Sequence, residues 1–121
     1  MKTENIVVEK SFAFSLRMIK LYKYLERKGE LVLSRQLLRS GTSISANLEE
    51  ALGASSKKDF LAKISISYKE ARESKLWIRL LKESKILSDQ EATALLEDCE
   101  ELLRLLGTIQ KTTKFQINAK T

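Results

Sequence analysis

The chain has 121 residues, 43% of them hydrophobic, with four glycines and no proline, which predicts a single domain of long helices and argues against a β-sandwich. It has no histidine, which removes the usual general base, the Ser-His-Asp and Cys-His arrangements and the Glu-x-x-His pattern of di-iron bundles, so we expect no enzyme, no metal and no cofactor. Its formal charge of +6 at pH 7 favours acidic partners, nucleic acid first.

The first predicted helix covers roughly residues 4–27. Its inward-facing positions recur at alternating spacings of four and three, at Val7, Ser11, Phe14, Met18, Leu21 and Leu25. A second, mainly apolar row runs beside them, at Val8, Phe12, Ser15, Ile19 and Tyr22. Gly29 is predicted to end this helix.

The second predicted helix covers roughly residues 34–53, with Ser34 as its N-cap and Gly53 as its stop. Its middle is built mostly from small or polar residues, which are poor helix formers. The helical spacing nevertheless continues through it, at Leu37, Gly41, Ile44, Leu48 and Leu52. We therefore favour one helix over two, although Asn47-x-x-Glu50 resembles a capping box that would begin a second helix. A helix this thin lets a neighbouring backbone approach closely.

The third and fourth predicted helices cover roughly residues 57–85 and 89–113, and begin at the capping-box patterns of Ser56 and Ser88. The third repeats its inward positions at Phe60, Ile64, Ser67, Ala71, Ser74, Ile78 and Leu81. The fourth repeats them at Ala92, Leu95, Leu96, Cys99, Leu102, Leu103 and Leu106. Four helices and short loops predict an all-α, up-down-up-down four-helix bundle over residues 1–121, with a frayed tail at 114–121.

Helices 1 and 3 are apolar over too wide an arc for a bundle that stands alone. On helix 3, a second group lies nearly opposite the inward row, at Ala62, Ile66, Trp77 and Leu80. This arrangement would leave Trp77 exposed, and exposed apolar patches usually mark an interface. We therefore expect a homo-oligomer. The alternative is that Trp77 covers one end of a monomeric bundle.

A polar row follows one face of helix 2. It comprises Gln36, Ser40, Ser43, Asn47 and Glu50, with Arg39 beside it. Half-buried carboxylates need partners, so we predict a polar network within or between subunits. Its predicted members are Arg39, Asn47, Glu50, Lys69, Glu70 and Glu73. The alternative is a set of solvated surface charges.

Two helices also carry basic rows. The α-helical spacing aligns Tyr68, Arg72, Lys75, Arg79 and Lys82 on helix 3, and Arg17, Lys20, Lys23 and Arg27 on helix 1. Cations beside an aromatic ring suit a phosphate backbone, and without a base-reading motif we expect binding to follow shape and charge more than sequence. The alternative is a solvated helix face that pairs with helix 4, which is acidic.

The only cysteine, Cys99, cannot form an internal disulfide, which fits a reducing, cytoplasmic setting. The first residues contain an early acid and no long apolar run, unlike a signal peptide. No stretch approaches the roughly 18 apolar residues that a membrane span requires. We expect a cytoplasmic protein with no membrane contact.

A family resemblance lies in helices 2 and 3. The motif reads Leu33-x-x-Gln36-Leu37-x-Arg39-Ser40-x-x-Ser43-Ile44-x-x-Asn47-Leu48-x-Glu50-Ala51, then Lys58-Asp59-Phe60, then Lys69-Glu70-Ala71-x-Glu73. It resembles a bacterial four-helix-bundle family first named for proteins encoded in intervening sequences of large-subunit ribosomal RNA genes. That family is similar to the accessory proteins of diversity-generating retroelements, which are basic pentamers that bind nucleic acid and a reverse transcriptase.

The resemblance implies a homopentamer and points to motif positions at Gln36, Arg39, Ser43, Asn47, Glu50, Glu70 and Glu73. Together with the basic rows, it leads us to expect a non-enzymatic homo-oligomer that binds structured RNA or DNA. The alternative is an oligomeric scaffold for a protein partner such as a reverse transcriptase.

Overall fold

A computed structural model describes residues 2–119, which fold into four helices. They are α1 (Lys2–Arg27), α2 (Val32–Leu52), α3 (Lys57–Glu83) and α4 (Asp89–Ala119). Within these residues α2 packs against α1 and α3, and α4 packs against α3 and α1, while in the two diagonal pairs no Cα atoms come within 8 Å of each other. The predicted all-α four-helix bundle in up-down-up-down order is therefore confirmed.

Most of the predicted helix ends are confirmed. Gly29 follows α1 with φ of 83°, a left-handed conformation that costs glycine little, and the next amide, Glu30 N–H, donates to Leu25 O at 2.9 Å. Ser56 Oγ accepts from Asp59 N–H at 3.0 Å and Ser88 Oγ accepts from Glu91 N–H at 3.2 Å.

The predicted start of α2 is wrong. The helix begins at Val32, and Ser34 lies buried in its first turn. Its N–H donates to the Glu30 carboxylate at 2.9 Å and its hydroxyl donates to Glu30 O at 2.8 Å. A carboxylate accepts more strongly than a hydroxyl and suits the positive end of the helix dipole, so Glu30 takes the capping role. At the end of α3 the helix stops at Glu83, because Lys85 adopts φ of 65°.

The predicted fraying after residue 113 is also wrong for residues 114–119, which continue α4; residues 120 and 121 lie outside the described part of the chain. Thr113 is buried and its hydroxyl donates to Ile109 O at 2.7 Å. Lys57 Nζ donates to Gln116 Oε1 at 2.8 Å. This contact ties the last turns of α4 to the start of α3.

The core follows the predicted rows closely. The largest fully buried side chains are Val7, Phe14, Met18, Leu25, Leu37, Ile44, Ile64, Ile78, Leu81, Leu87, Leu102 and Leu106. Helix α2 is continuous through its middle, and Asn47 Nδ2 donates to Ser43 O at 2.8 Å within the helix instead of beginning a second one. One predicted core position is wrong, because Leu52 is 54% exposed while Ala51 is buried. Ala51, three residues after Leu48, therefore lies on the core face of α2, whereas Leu52, four residues after Leu48, faces outward.

Gly41 lets α1 and α2 come into close contact. A Cβ atom at this position would lie 2.5 Å from Met18 Cγ and 3.4 Å from Phe14 Cε2. Both neighbours are fully buried core side chains, so neither has free space to move into. The thin middle of α2 is therefore used for helix packing, as its composition predicted.

Serine hydroxyls join the helices at this level. Ser15 Oγ lies 2.6 Å from Ser45 Oγ between α1 and α2, and Ser40 Oγ lies 2.8 Å from Ser74 Oγ between α2 and α3. Ser67 Oγ donates to Ile44 O at 2.9 Å. Within residues 2–119 no buried side-chain nitrogen or oxygen lacks a hydrogen-bond partner. These short bonds set the register of three helices, because an unpaired buried hydroxyl is costly.

We predict that Gly41→Ala lowers the free energy of unfolding by about 1 kcal/mol, because overpacking against Met18 exceeds the gain in helix propensity. The matched control is Gly107→Ala in α4, where the new Cβ would meet only Tyr68 Cε2 at 3.8 Å, an ordinary contact. This control should raise stability by about 0.5–1 kcal/mol. Urea unfolding followed by circular dichroism at one protein concentration measures both. Equal stabilisation by the two substitutions would contradict the close contact at Gly41.

Candidate functional site

An ionic cluster joins α2 to α3. Arg39 Nη1 donates to Glu70 Oε2 at 3.0 Å, and Arg39 Nη2 pairs with the Glu73 carboxylate. Trp77 Nε1 also donates to Glu73 Oε2, at 3.0 Å. The hydrogen bond to Glu73 and the charges of both carboxylates raise the pKa of Arg39. Three motif side chains and Trp77 thus form a single hydrogen-bonded group at the α2–α3 edge.

The other predicted members of the polar network lie elsewhere. Glu50 pairs with Lys63 at 3.0 Å, a partner that the sequence analysis missed, and the hydrogen bond to Glu50 raises the pKa of Lys63. Asn47 and Ser43 bond to backbone oxygens one turn earlier in α2. Gln36 and Lys69 are exposed, and neither makes a side-chain hydrogen bond or ion pair with another of the residues 2–119. The network predicted as one unit is therefore divided into two.

Trp77 is not exposed, contrary to the expectation for a lone bundle. It is half-buried against the core, and its indole N–H is satisfied by Glu73. The wide apolar arc is nevertheless present around it. Three large apolar side chains of α3 are exposed, namely Ile66, Leu76 and Leu80, and three of α1, namely Phe12, Leu16 and Ile19. We call these sets the α3 stripe and the α1 stripe.

The basic row of α3 lies along its edge with α4. Tyr68 is partly buried against the core, facing Gly107 of α4, so its ring does not offer an open stacking face. Lys75 pairs with Glu100 of α4. Arg72 and Arg79 are exposed and form no ion pair with another described residue. Lys82 is half-exposed and likewise unpaired within residues 2–119.

Two cations of the basic row of α1, Arg17 and Lys20, lie beside the opposite edge of α4. Arg17 pairs with Asp98, and the neighbouring Lys10 pairs with Glu101 at 3.1 Å. Lys20, Lys23 and Arg27 are exposed, without an ion pair to any other residue in the described range. Acidic α4 thus neutralises one cation of each row and leaves the others open to solvent.

The only cysteine of the chain, Cys99, is a free thiol that is buried in the core. Burial, with a smaller contribution from the charge of Glu100, raises the pKa of the Cys99 thiol to about 12, so the thiolate needed for nucleophilic reactivity does not form near neutral pH. Within residues 2–119 no group of three or more potential ligands could hold a metal ion. The helices of the described range are also too polar or too short to cross a membrane.

These observations define a basic four-helix bundle with an ion-paired α2–α3 edge. The chain belongs to the 23S rRNA-intervening sequence protein family, whose model matches residues 3–108, and the resemblance seen in the motif is confirmed. Among solved structures it is similar to a protein of unknown function from the S23 ribosomal protein family of Bacteroides thetaiotaomicron VPI-5482. The two are 40% identical with a TM-score of 0.88, over 90% of this chain and 98% of that chain. No curated protein matches the sequence.

We predict that Glu73→Ala lowers the free energy of unfolding by about 1 kcal/mol, since this half-buried residue is one of two acceptors of Arg39 and the acceptor of Trp77. Trp77 is the only tryptophan, so its fluorescence should change in the native state as well. The control is Glu50→Ala, which removes an exposed ion pair with Lys63 and should lower stability clearly less than Glu73→Ala does. Equal stability of the two variants, with unchanged fluorescence, would mean that the cluster consists of ordinary surface charges.

Proposed function

We propose that the protein is a non-enzymatic, self-assembling helical bundle of the cytoplasm that binds structured RNA or DNA through its basic rows. One observation carries this proposal. After the ion pairs with α4 are formed, six cations of the two rows still face solvent without a described carboxylate partner. They are Lys20, Lys23, Arg27, Arg72, Arg79 and Lys82. The family name, which refers to an intervening sequence of a ribosomal RNA, supports a nucleic-acid context.

The expected mechanism is electrostatic. Each phosphate that a lysine or arginine neutralises releases a condensed counterion, so the binding constant should fall steeply as salt rises. Contacts of this kind position a protein on the nucleic acid without reading its bases. If several copies assemble, the rows are repeated, and weak contacts from each copy combine into useful affinity.

Self-assembly is supported by the α1 and α3 stripes, which expose six large apolar side chains on different helices. We propose that the stripes are covered by further copies of the chain. Two unlike faces that meet each other would generate a ring, and the family resemblance implies five subunits. A scaffold for another protein, such as a reverse transcriptase, is the second candidate, since the same stripes would suit it.

We predict that the protein is an oligomer in light scattering coupled to size-exclusion chromatography. Leu16→Glu in the α1 stripe and Leu80→Glu in the α3 stripe should each reduce the mass towards that of the 13.8 kDa monomer, because a buried unpaired charge disrupts an apolar contact. Thr112→Glu, which is exposed on α4 and outside both stripes, should leave the mass unchanged. A wild-type protein that stays monomeric at tens of micromolar would contradict self-assembly and favour the scaffold.

For nucleic acid, we predict sub-micromolar binding of a labelled RNA hairpin or DNA duplex at low salt, measured by fluorescence anisotropy, with affinity that falls steeply as salt rises. An Arg72→Ala/Arg79→Ala variant should bind about tenfold more weakly, since two phosphate contacts are lost. Arg35→Ala/Arg104→Ala removes the same charge outside both rows and should have a much smaller effect. No binding by the wild type even at low salt would overturn the proposed function.

A further inference from the structure

The first half of α4 stands as a ridge between two cation-lined grooves. The groove towards α1 has a volume of about 400 Å³ and is lined in part by Arg17 and Lys20. The groove towards α3 has a volume of about 290 Å³ and is lined in part by Lys75, Arg79 and Lys82. Cations from both basic rows therefore border one shared element, the first half of α4.

The cross-helix ion pairs show which residues lie at the same level. Lys75 of α3 pairs with Glu100 of α4, and these helices are antiparallel. Seven residues further along α3 and seven residues back along α4 lead to Lys82 and Thr93. On the other side, Lys20 lines the same groove as Ala94. One cation from each row thus flanks the ridge at the level of residues 93 and 94.

The outward face of α4 changes its charge along its length. Its first half is uncharged at three exposed positions, Gln90, Thr93 and Ala94. From Glu97 onward the helix carries four acids within five residues, and among them Glu97 has no ion-pair partner within residues 2–119. Acids also lie near the ridge: Glu83 and Glu100 line the groove towards α3, Glu91 lines the groove towards α1, and Asp89 begins α4. Of these, Asp89 lies 3.8 Å from Lys85 and Glu91 accepts from Ser88 Oγ at 3.0 Å.

We infer that this ridge enters the major groove of duplex DNA, with the phosphates of the two bordering strands in the two cation-lined grooves. The inference rests on the proposed function and names the form of nucleic acid that it takes. An α-helix with its side chains is about 10–12 Å across, close to the roughly 12 Å width of the B-form major groove. The major groove of A-form RNA is deep and narrow and does not admit such an element. Repulsion by Glu97 and the acids after it confines the contact to the first half of α4.

The test compares 20-base-pair DNA and RNA duplexes by fluorescence anisotropy at fixed salt. The DNA duplex should bind several-fold more tightly than the RNA duplex.

Thr93→Glu puts a negative charge on the ridge without removing a cation, and should weaken DNA binding about tenfold. The matched control, Thr108→Glu, places the same charge on an exposed position in the second half of α4, and should change binding less than about twofold. Glu97→Gln removes a repulsive charge and should tighten binding about threefold. Thermal unfolding verifies that each variant is folded.

The outcomes separate the two claims. Suppose that the wild type binds DNA and that Thr93→Glu and Thr108→Glu change its affinity equally. This result would overturn the proposed docking of the ridge and leave nucleic-acid binding intact. Equal or tighter binding of the RNA duplex would also overturn major-groove docking. Absence of any wild-type binding would overturn the proposed function and this inference together.

Discussion

The close contact between α1 and α2 at Gly41 is the constraint on which the rest of the structure depends. Gly41 has no side chain, so the Met18 and Phe14 side chains of α1 pack directly against the α2 backbone. Short polar side chains pair beside this contact: Ser15 with Ser45 between α1 and α2, and Ser40 with Ser74 between α2 and α3. Because these hydroxyls are buried, a slip in register would leave them unpaired, and the bundle is held in one arrangement.

That arrangement determines where the charges lie. The register of α2 on α3 brings Arg39 to Glu70 and Glu73, and the register of α3 on α4 brings Lys75 to Glu100. Acidic α4 pairs with one cation of each basic row and leaves the other cations of both rows exposed to solvent. The same packing turns the α1 and α3 stripes outward. The surfaces that we propose for assembly and for nucleic-acid binding are thus consequences of how the core is built.

Much of the fold could be predicted from the sequence, since helix periodicity and the caps at Gly29, Ser56 and Ser88 are local properties of the chain. The errors arose where a side chain outside the predicted pattern intervened, either from a few residues away or from another helix. Glu30 displaced Ser34 as the cap of α2, and Lys57 extended the order of α4 through Gln116. For the candidate site, the rows and motif residues could be identified from spacing. Which of these residues form pairs could not be predicted, because periodicity gives the face of a helix on which a residue lies but not its axial register against the neighbouring helix. Lys63 was therefore missed as the partner of Glu50.

The register set by the buried serines can be measured most directly by cross-linking Ser40→Cys to Ser74→Cys in a Cys99→Ala background. The two hydroxyl oxygens are 2.8 Å apart, a separation from which a disulfide can close with little backbone movement. Ser40→Cys with Ser67→Cys, one heptad away on α3, is the control. We predict rapid and nearly complete oxidation of the first pair, with native helicity retained, and little oxidation of the second. Failure of the first pair to cross-link, or equal cross-linking of both, would contradict the account.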